Sequence, residues 1–396
     1  MRTIQLRERP KHLRSRAKRA GLGDLSQEII GNIYQAITGN VHMPGHFVRR
    51  ALANGLPAAE FKDAIRSARK ARNLPDYLLA ASEQKLERAL YWDELGLKSR
   101  SRDLYLESSL WAIYAELLSD DEEKRFIVWQ KFRESYRRAA PYFNHPAEEV
   151  SIHYLASSLS GYLRLPQANE APAKRPVVVL LNSFFSTREE LHYLENSLLG
   201  QGFATLSFDY PGAQGHSAQL PSSFDVKELG NSIYLFLSTR PEIDCSSITL
   251  YGLSLGGRIA LLMALNYPER FHSVVSISTP LRILEDLDKR TPIYAREHLV
   301  SNGVARSALH ELALHTNIED DLCQLSAPLL VLGGGKDRIA TESQTKQIFD
   351  SSQSLDKKLI LCPGAGHNLY EMMPSLRYEI AQWIKQRRSS VSHEFS

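Results

Sequence analysis

The strongest constraint on the fold is a regular alternation in the second half of the chain. Between residues 175 and 364, six short apolar runs are typical of strands: VVVLLNS, FATLSFDY, SSITLYG, HSVVSIS, APLLVLGGG and KKLILCPG. The segments among them repeat apolar residues at three- and four-residue spacing, as helices do: TREELHYLENSLLGQG, VKELGNSIYLFLSTR and GRIALLMALNYPERF. Because near-continuous apolar strands are buried on both faces, the alternation predicts a mostly parallel, doubly wound α/β sheet. Ligands of such sheets bind beyond the carboxyl ends of the strands.

The first half of the chain has a different texture. Apolar residues recur at helical spacing throughout residues 24–144, and no repeat of fixed period is present. Pro57 and Pro75 suit first-turn positions, and Asp120 is a candidate helix cap. The pattern predicts a bundle of helices without the architecture of a solenoid.

The change of texture predicts the domain boundaries. Residues 1–23 form a basic, flexible N-terminal segment, residues 24–146 a helical cap domain, residues 147–390 the α/β domain and residues 391–396 a tail. The α/β domain opens with two short strands in EEVSIHYLASSLSGYLRLP, followed by a linker rich in alanine and proline.

The composition is that of a globular protein, with 43% apolar and 23% charged residues. The net charge of +3 is uneven, since residues 1–20 carry +7 and the rest of the chain −4, so we expect no nucleic-acid partner. No apolar run is long enough to span a membrane, and the basic start lacks the apolar segment of a secretory signal. Three scattered cysteines favour a reducing compartment, and we therefore expect a cytoplasmic protein.

A G-x-S-x-G motif stands where a predicted strand meets a predicted helix. Its residues are Gly252, Ser254 and Gly256. A tight strand-to-helix turn needs small flanking residues and lifts the serine hydroxyl above the sheet, as a nucleophile requires. A phosphate-binding loop is the alternative, but it needs Lys followed by Ser or Thr where Arg258 and Ile259 stand.

A serine hydroxyl needs a base, and the base needs an acceptor that orients it. In this kind of sheet the expected chain order is Ser, then Asp or Glu, then His. Asp337 lies beyond one predicted strand, 83 residues after Ser254, and His367 lies beyond the next strand, 30 residues later. Both strands are expected to end at the same edge, so the sequence predicts a Ser254–His367–Asp337 triad.

An oxyanion hole should accompany this triad. We predict one donor at the backbone N–H of Leu255, directly after the serine, and another in the turn after VVVLLNS, at Phe184 or a neighbour.

With these residues in view, the chain resembles the FrsA-like α/β hydrolases from about residue 25 to 387. That family includes 2,6-dihydroxypseudooxynicotine hydrolase and fungal pigment hydrolases that shorten polyketide pyrones. The segments that carry the resemblance are HYLASSLSGYLRLP, NSFFSTREE, FDYPGAQGHS, YGLSLGG, GGGKDRI and PGAGHNLY.

The resemblance implies an α/β-hydrolase fold with a helical N-terminal cap. It assigns the triad to Ser254, Asp337 and His367, and the oxyanion amides to Leu255 and Phe184. Members cleave esters or carbon–carbon bonds that flank a ketone, without metal or cofactor, and a homodimer is expected.

The chain departs from the family pattern at one place. Asn182 and Ser183 replace the usual glycine pair, and Phe184 and Phe185 follow. The larger side chains narrow the site, which indicates a different acyl group and makes Phe185 a candidate substrate contact.

Two further residues are candidate substrate contacts. Glu285 follows the strand HSVVSIS and could orient a substrate hydroxyl or a water, although surface carboxylates are usually only solvated. His216 lies in a loop that could reach the cleft. No cluster of His, Cys, Asp and Glu has metal-ligand spacing.

Three hypotheses of function follow. The first is a cofactor-independent serine hydrolase that forms an acyl-enzyme from a small aromatic or polyketide-type ketone, ester or thioester, or from a carrier-bound acyl chain. The second is an acyltransferase or cyclase of the same fold, in which another nucleophile replaces water. The third is a non-catalytic protein that binds a partner through the cap and the basic segment.

Overall fold

Helices form the described part of the chain that precedes the first strand. The computed structural model describes residues 45–71, 73–119, 121–167, 174–183, 186–210, 224–282 and 316–391. The helices before the first strand are α1 (Gly45–Ala53), α2 (Ala58–Ala71), α3 (Leu74–Glu94), α4 (Lys98–Leu117) and α5 (Glu122–Ala139). The last three pack side by side around a shared apolar core that includes the buried side chains of Trp111, Phe132 and Tyr136. A short 3-10 turn, Ala140–Tyr142, leads out of α5 toward the sheet.

The C-terminal part is built on one eight-stranded sheet. Its strands are β1 (Ala147–Tyr154), β2 (Ser157–Arg164), β3 (Arg175–Leu181), β4 (Ala204–Phe208), β5 (Ile243–Leu253), β6 (Ser273–Ile277), β7 (Leu329–Gly334) and β8 (Lys357–Cys362). They lie in the order β1-β2-β4-β3-β5-β6-β7-β8. Within this sheet β2 is antiparallel to both of its neighbours, and the pairs from β4 to β8 are parallel.

Helices cover both faces of the sheet. They are α6 (His192–Leu199), α7 (Val226–Ser238), α8 (Leu255–Asn266), α9 (Glu342–Ser351) and α10 (Met373–Val391). Successive residues of β3 serve opposite faces: Val177 and Val179 belong to the core under α7, α8 and α9, whereas Val178 and Leu180 belong to the core under α6 and α10. The continuous apolar strands of the sequence are explained by this double burial.

The predicted sheet is confirmed, and one local prediction is wrong. Helix α5 is capped by Asp121, whose carboxylate accepts a hydrogen bond from the Lys124 N–H at 2.9 Å, and not by Asp120, which lies outside the described residues. Asp121 has extended backbone angles, and its side chain therefore reaches the N–H three residues ahead. The domain boundaries stay a prediction. None of the described helices is long and apolar enough to cross a membrane.

Candidate active site

Ser254 occupies the turn between β5 and α8 in a strained conformation. Strand β5 ends at Leu253, α8 begins at Leu255, and Ser254 between them has φ 54° and ψ −117°. Its N–H donates to the carbonyl of Ile277 on the neighbouring strand β6 at 2.8 Å, which holds the turn against the sheet. A non-glycine residue in such a region costs about 1–3 kcal/mol and persists only where the surroundings enforce it.

The glycines around Ser254 are required by close backbone packing. A Cβ on Gly252 would lie 2.3 Å from the carbonyl oxygen of Gly256, and one on Gly256 would lie 2.1 Å from that of Leu181. A Cβ on Gly257 would lie 1.9 Å from Thr279 Oγ1. These approaches permit no side chain, so the motif is explained by the turn itself.

The structure brings Ser254, His367 and Asp337 together at the carboxyl edge of the sheet. His367 Nε2 lies 2.8 Å from Ser254 Oγ, and His367 Nδ1 lies 2.9 Å from Asp337 Oδ2. The Asp337 side chain is fully buried and that of His367 is 10% exposed. The other carboxylate oxygen of Asp337 accepts hydrogen bonds from the N–H groups of Ile339 and Ala340, at 2.9 and 3.0 Å. These three hydrogen bonds hold the carboxylate in a fixed position beside the imidazole.

The loop that carries His367 is held by the end of β6. Asn368 and Leu369 both have positive φ, 61° and 54°. The Asn368 N–H donates to Ser278 Oγ at 2.9 Å, and Ser278 itself has φ 49°. This contact joins two strained segments and fixes the backbone next to the imidazole.

The structure describes one of the two predicted oxyanion donors, Leu255, and not the other, Phe184. Leu255 is the first residue of α8, and the first N–H groups of a helix have no intrahelical partner. Phe184 lies outside the described residues. The Ser186 N–H donates to the Ser183 carbonyl at 3.0 Å. Asn182, which replaces a glycine of the family pattern, is fully buried directly after β3. Phe185, His216 and Glu285, the candidate substrate contacts, also lie outside the described residues.

Arg258, on the helix that follows Ser254, binds backbone carbonyls from two segments that are distant in the sequence. Its Nε donates to the Thr316 carbonyl at 2.9 Å and its Nη1 to the Pro280 carbonyl at 2.8 Å. Burial lowers the pKa of Arg258 to about 10, because its partners are neutral carbonyls and only Glu319 counters the desolvation.

Helix α1 of the cap contacts the same edge of the sheet, which sequence reasoning missed. Arg50 and Glu190 form a buried ion pair, with Arg50 Nε 2.9 Å from Glu190 Oε1. The same carboxylate accepts from Asn54 Nδ2 at 3.1 Å, from the Tyr114 hydroxyl at 2.9 Å and from the Thr187 N–H at 3.2 Å. Three cap residues therefore converge on one carboxylate in the segment after β3. The available signal was an arginine on an otherwise apolar helix face.

His46 on α1 is a second imidazole near the triad, also missed from sequence. Its ring centroid lies 6.0 Å from that of His367 and 5.3 Å from that of Tyr370. Burial, followed by the charges of His367, Arg50 and Arg49, lowers the pKa of His46 well below its usual value. His46 is therefore neutral at pH 7.

The comparisons with known proteins agree with this architecture. Residues 176–303 match the family described as α/β hydrolase fold, and residues 282–371 match the one described as serine aminopeptidase, S33. The chain has the α/β-hydrolase fold. The expected enzyme class, hydrolase, is also confirmed, because the similar curated proteins are named hydrolases and esterases.

Three curated relatives illustrate the likeness. The 2,6-dihydropseudooxynicotine hydrolase of Paenarthrobacter nicotinovorans is 28% identical over 76% of this chain and 80% of its own length. Esterase FrsA of Serratia proteamaculans is 26% identical over 64% of this chain and 62% of its own. The α/β hydrolase xenA of Xenoacremonium sinensis is 30% identical over 57% of this chain and 56% of its own length. The expected resemblance to FrsA-like hydrolases is confirmed, although the chain spans less than two thirds of the last two relatives.

Solved structures extend the likeness to the cap. The crystal structure of 2,6-dihydroxy-pseudo-oxynicotine hydrolase superposes with a TM-score of 0.75 at 25% identity, over 85% of this chain and 94% of that one. The structure of AbyA5 shares the fold at a TM-score of 0.61 and 16% identity, over 79% of this chain and 92% of that one.

Proposed function

We propose that this α/β hydrolase is a cofactor-independent serine hydrolase whose nucleophile is Ser254. The observation that carries the proposal is the hydrogen-bonded chain from Asp337 through His367 to Ser254, at 2.9 and 2.8 Å. Such a chain supplies the three functions that acyl transfer needs: a nucleophile, a base and a group that orients the base.

The first half of the reaction forms an acyl-enzyme. His367 Nε2 takes the proton from Ser254 Oγ as Oγ attacks the carbonyl carbon, and Asp337 stabilises the imidazolium. The Leu255 N–H, at the positive end of α8, and a second amide at or near Phe184 stabilise the oxyanion. The leaving group departs with the proton from His367. Water then attacks the acyl carbon by the same steps in reverse and releases the acid.

We propose a small aromatic or polyketide-type substrate, cleaved at a carbon–carbon bond flanking a ketone or at an ester or thioester. The choice is supported by two kinds of relative, one named for hydrolysis of a pseudooxynicotine and the others named esterases. A cap that contacts the His367 loop through α1 encloses the substrate and limits its size. A carrier-bound acyl chain is the other substrate that fits the proposal.

A covalent probe and a substrate panel test the proposal. A fluorophosphonate should label the wild-type chain and leave Ser254→Ala unlabelled. Ser254→Ala should lose about 10⁶ in turnover of the best substrate among aryl esters and 1,3-diketones. A loss below about tenfold in folded protein would show that Ser254 is not the nucleophile. Product analysis with added alcohols or amines separates hydrolysis from acyl transfer.

The proposal extends to assembly and location. We propose a cytoplasmic homodimer, supported by the resemblance to the FrsA-like family and by the few scattered cysteines. Sedimentation of the purified full chain should give twice the monomer mass of 44.8 kDa.

A further inference from the structure

Helix α1 is fastened to the core around His367. Arg49 Nε lies 2.6 Å from Glu371 Oε1, and the other oxygen of Glu371 accepts from the Gly366 N–H at 3.3 Å, next to His367. At the end of α1, the Ala53 carbonyl accepts from Arg377 Nη2 at 2.7 Å. Together with the buried ion pair of Arg50 and Glu190, these contacts fix the position of α1 next to the His367 loop.

His46 is the residue that α1 presents to the triad. Its ring is within aromatic contact distance of His367 and Tyr370. Its nitrogens make no hydrogen bond to another described residue. A leaving group protonated by His367 must lie about 3 Å from Nε2. An oxygen two bonds further along that group can therefore reach a second imidazole beside His367.

This placement matters for one of the two substrate classes. When Ser254 Oγ bonds to one carbonyl of a 1,3-diketone, the carbon–carbon bond breaks and its electron pair forms an enolate, with charge on the second carbonyl oxygen. His367 returns the proton to the enolate carbon. An ester instead releases an alkoxide that takes this proton directly. A donor at the second oxygen would therefore stabilise the enolate of carbon–carbon cleavage, whereas ester cleavage forms no such enolate.

We propose that His46 donates a hydrogen bond to the second oxygen of a 1,3-dicarbonyl substrate and stabilises its leaving enolate. The inference rests on the proposed function and refines it toward carbon–carbon hydrolysis. A neutral imidazole suits the role, since it still has one N–H and does not repel the imidazolium that forms at His367. Water completes the reaction, so that diketone and water yield a carboxylic acid and a ketone.

Two substitutions at His46 separate a polar role from packing. His46→Phe keeps an aromatic ring against Tyr370 without a donor, and His46→Gln keeps a donor without the ring. The probes are 1-phenyl-1,3-butanedione and 4-nitrophenyl butyrate, each assayed for kcat and KM with the full chain. Thermal unfolding and fluorophosphonate labelling of Ser254 accompany each variant.

We expect His46→Phe to lower kcat for the diketone by about 100-fold, because one oxyanion donor is lost. The same variant should change ester turnover by less than about threefold, and His46→Gln should recover about tenfold of the diketone loss. Equal effects on both substrates, or full diketone activity in His46→Phe, would refute the role of His46. A wild-type chain that hydrolyses the ester and reacts at Ser254 but leaves the diketone intact would also refute it, while the proposed serine hydrolase would stand.

Discussion

Replacing Glu190 with alanine should destabilise the protein more than replacing an exposed charged residue does. The Glu190 carboxylate is 1% exposed and accepts hydrogen bonds from Arg50, Asn54, Tyr114 and the Thr187 N–H. Its removal takes away the carboxylate to which the buried Arg50 guanidinium, 2% exposed, donates. Breaking one partner of a buried ion pair costs about 3–5 kcal/mol, and we expect about 4 kcal/mol.

An exposed pair provides the matched control. Glu342 and Lys346 lie 2.7 Å apart on α9 with side chains 42% and 50% exposed. Solvent screens this pair, so Glu342→Ala should cost about 0.3–0.5 kcal/mol. The double variant Arg50→Met/Glu190→Leu removes both buried charges, and it should lose less stability than the sum of its single changes by at least about 1 kcal/mol.

Urea unfolding of the full chain measures these differences. The free-energy change is taken from the shift of the midpoint at a common slope, and fluorescence and circular dichroism should report the same midpoint. A loss below about 1 kcal/mol in Glu190→Ala, or strict additivity in the double variant, would refute the reasoning that this carboxylate holds the cap against the core.

Three further changes test the site and the core. Gly256→Ala places a methyl group 2.1 Å from the Leu181 carbonyl oxygen and should lower kcat at least about 100-fold. The control is Gly364→Ala, whose methyl group would have no neighbour within 4 Å among the described residues and should leave kcat unchanged. Equal kcat values for the two variants would contradict the proposed need for glycine in the turn. Asp337→Asn should lower kcat about 10⁴-fold with unchanged KM, measured on the best ester. Burial lowers the pKa of His192 in the folded protein. The free energy of unfolding should therefore fall as the pH drops below about 6.5, because there the unfolded chain binds a proton at His192 that the folded chain does not. If the Tm of a His192→Phe variant falls equally steeply between pH 7 and pH 5, His192 is not the cause.

Glu190 connects the N-terminal helices to the segment that follows β3. Thr187, whose N–H donates to this carboxylate, lies three residues after Phe184, the proposed second oxyanion donor. Arg258, in the helix after Ser254, binds the carbonyl of Pro280, which follows β6, and the carbonyl of Thr316. Two buried guanidinium groups, those of Arg50 and Arg258, thus hold segments that follow strands β3 and β6.

Much of this protein was readable from sequence, because the signals are local. The strands of the sheet are continuous apolar runs in the sequence. Their alternation with helices along the chain is compatible with only a few sheet topologies. Ser254, Asp337 and His367 each follow such a run, and parallel strands bring their carboxyl ends to one edge. The role of the glycines beside Ser254 could also be predicted, because a turn without room for a Cβ requires glycine.

Only the tertiary structure decided how the cap meets that edge. Arg50 and Glu190 are 140 residues apart, and no periodicity in either segment indicates that they pair. The contact of His46 with His367 likewise depends on the docking of α1 against a distant loop. Helical spacing tells which face of a helix is buried, but the partner that buries it is chosen by the summed packing of the whole chain. The meeting of Ser254, His367 and Asp337 at one edge therefore follows from the sequence, while the position of His46, which is proposed to favour one substrate class, follows from the fold.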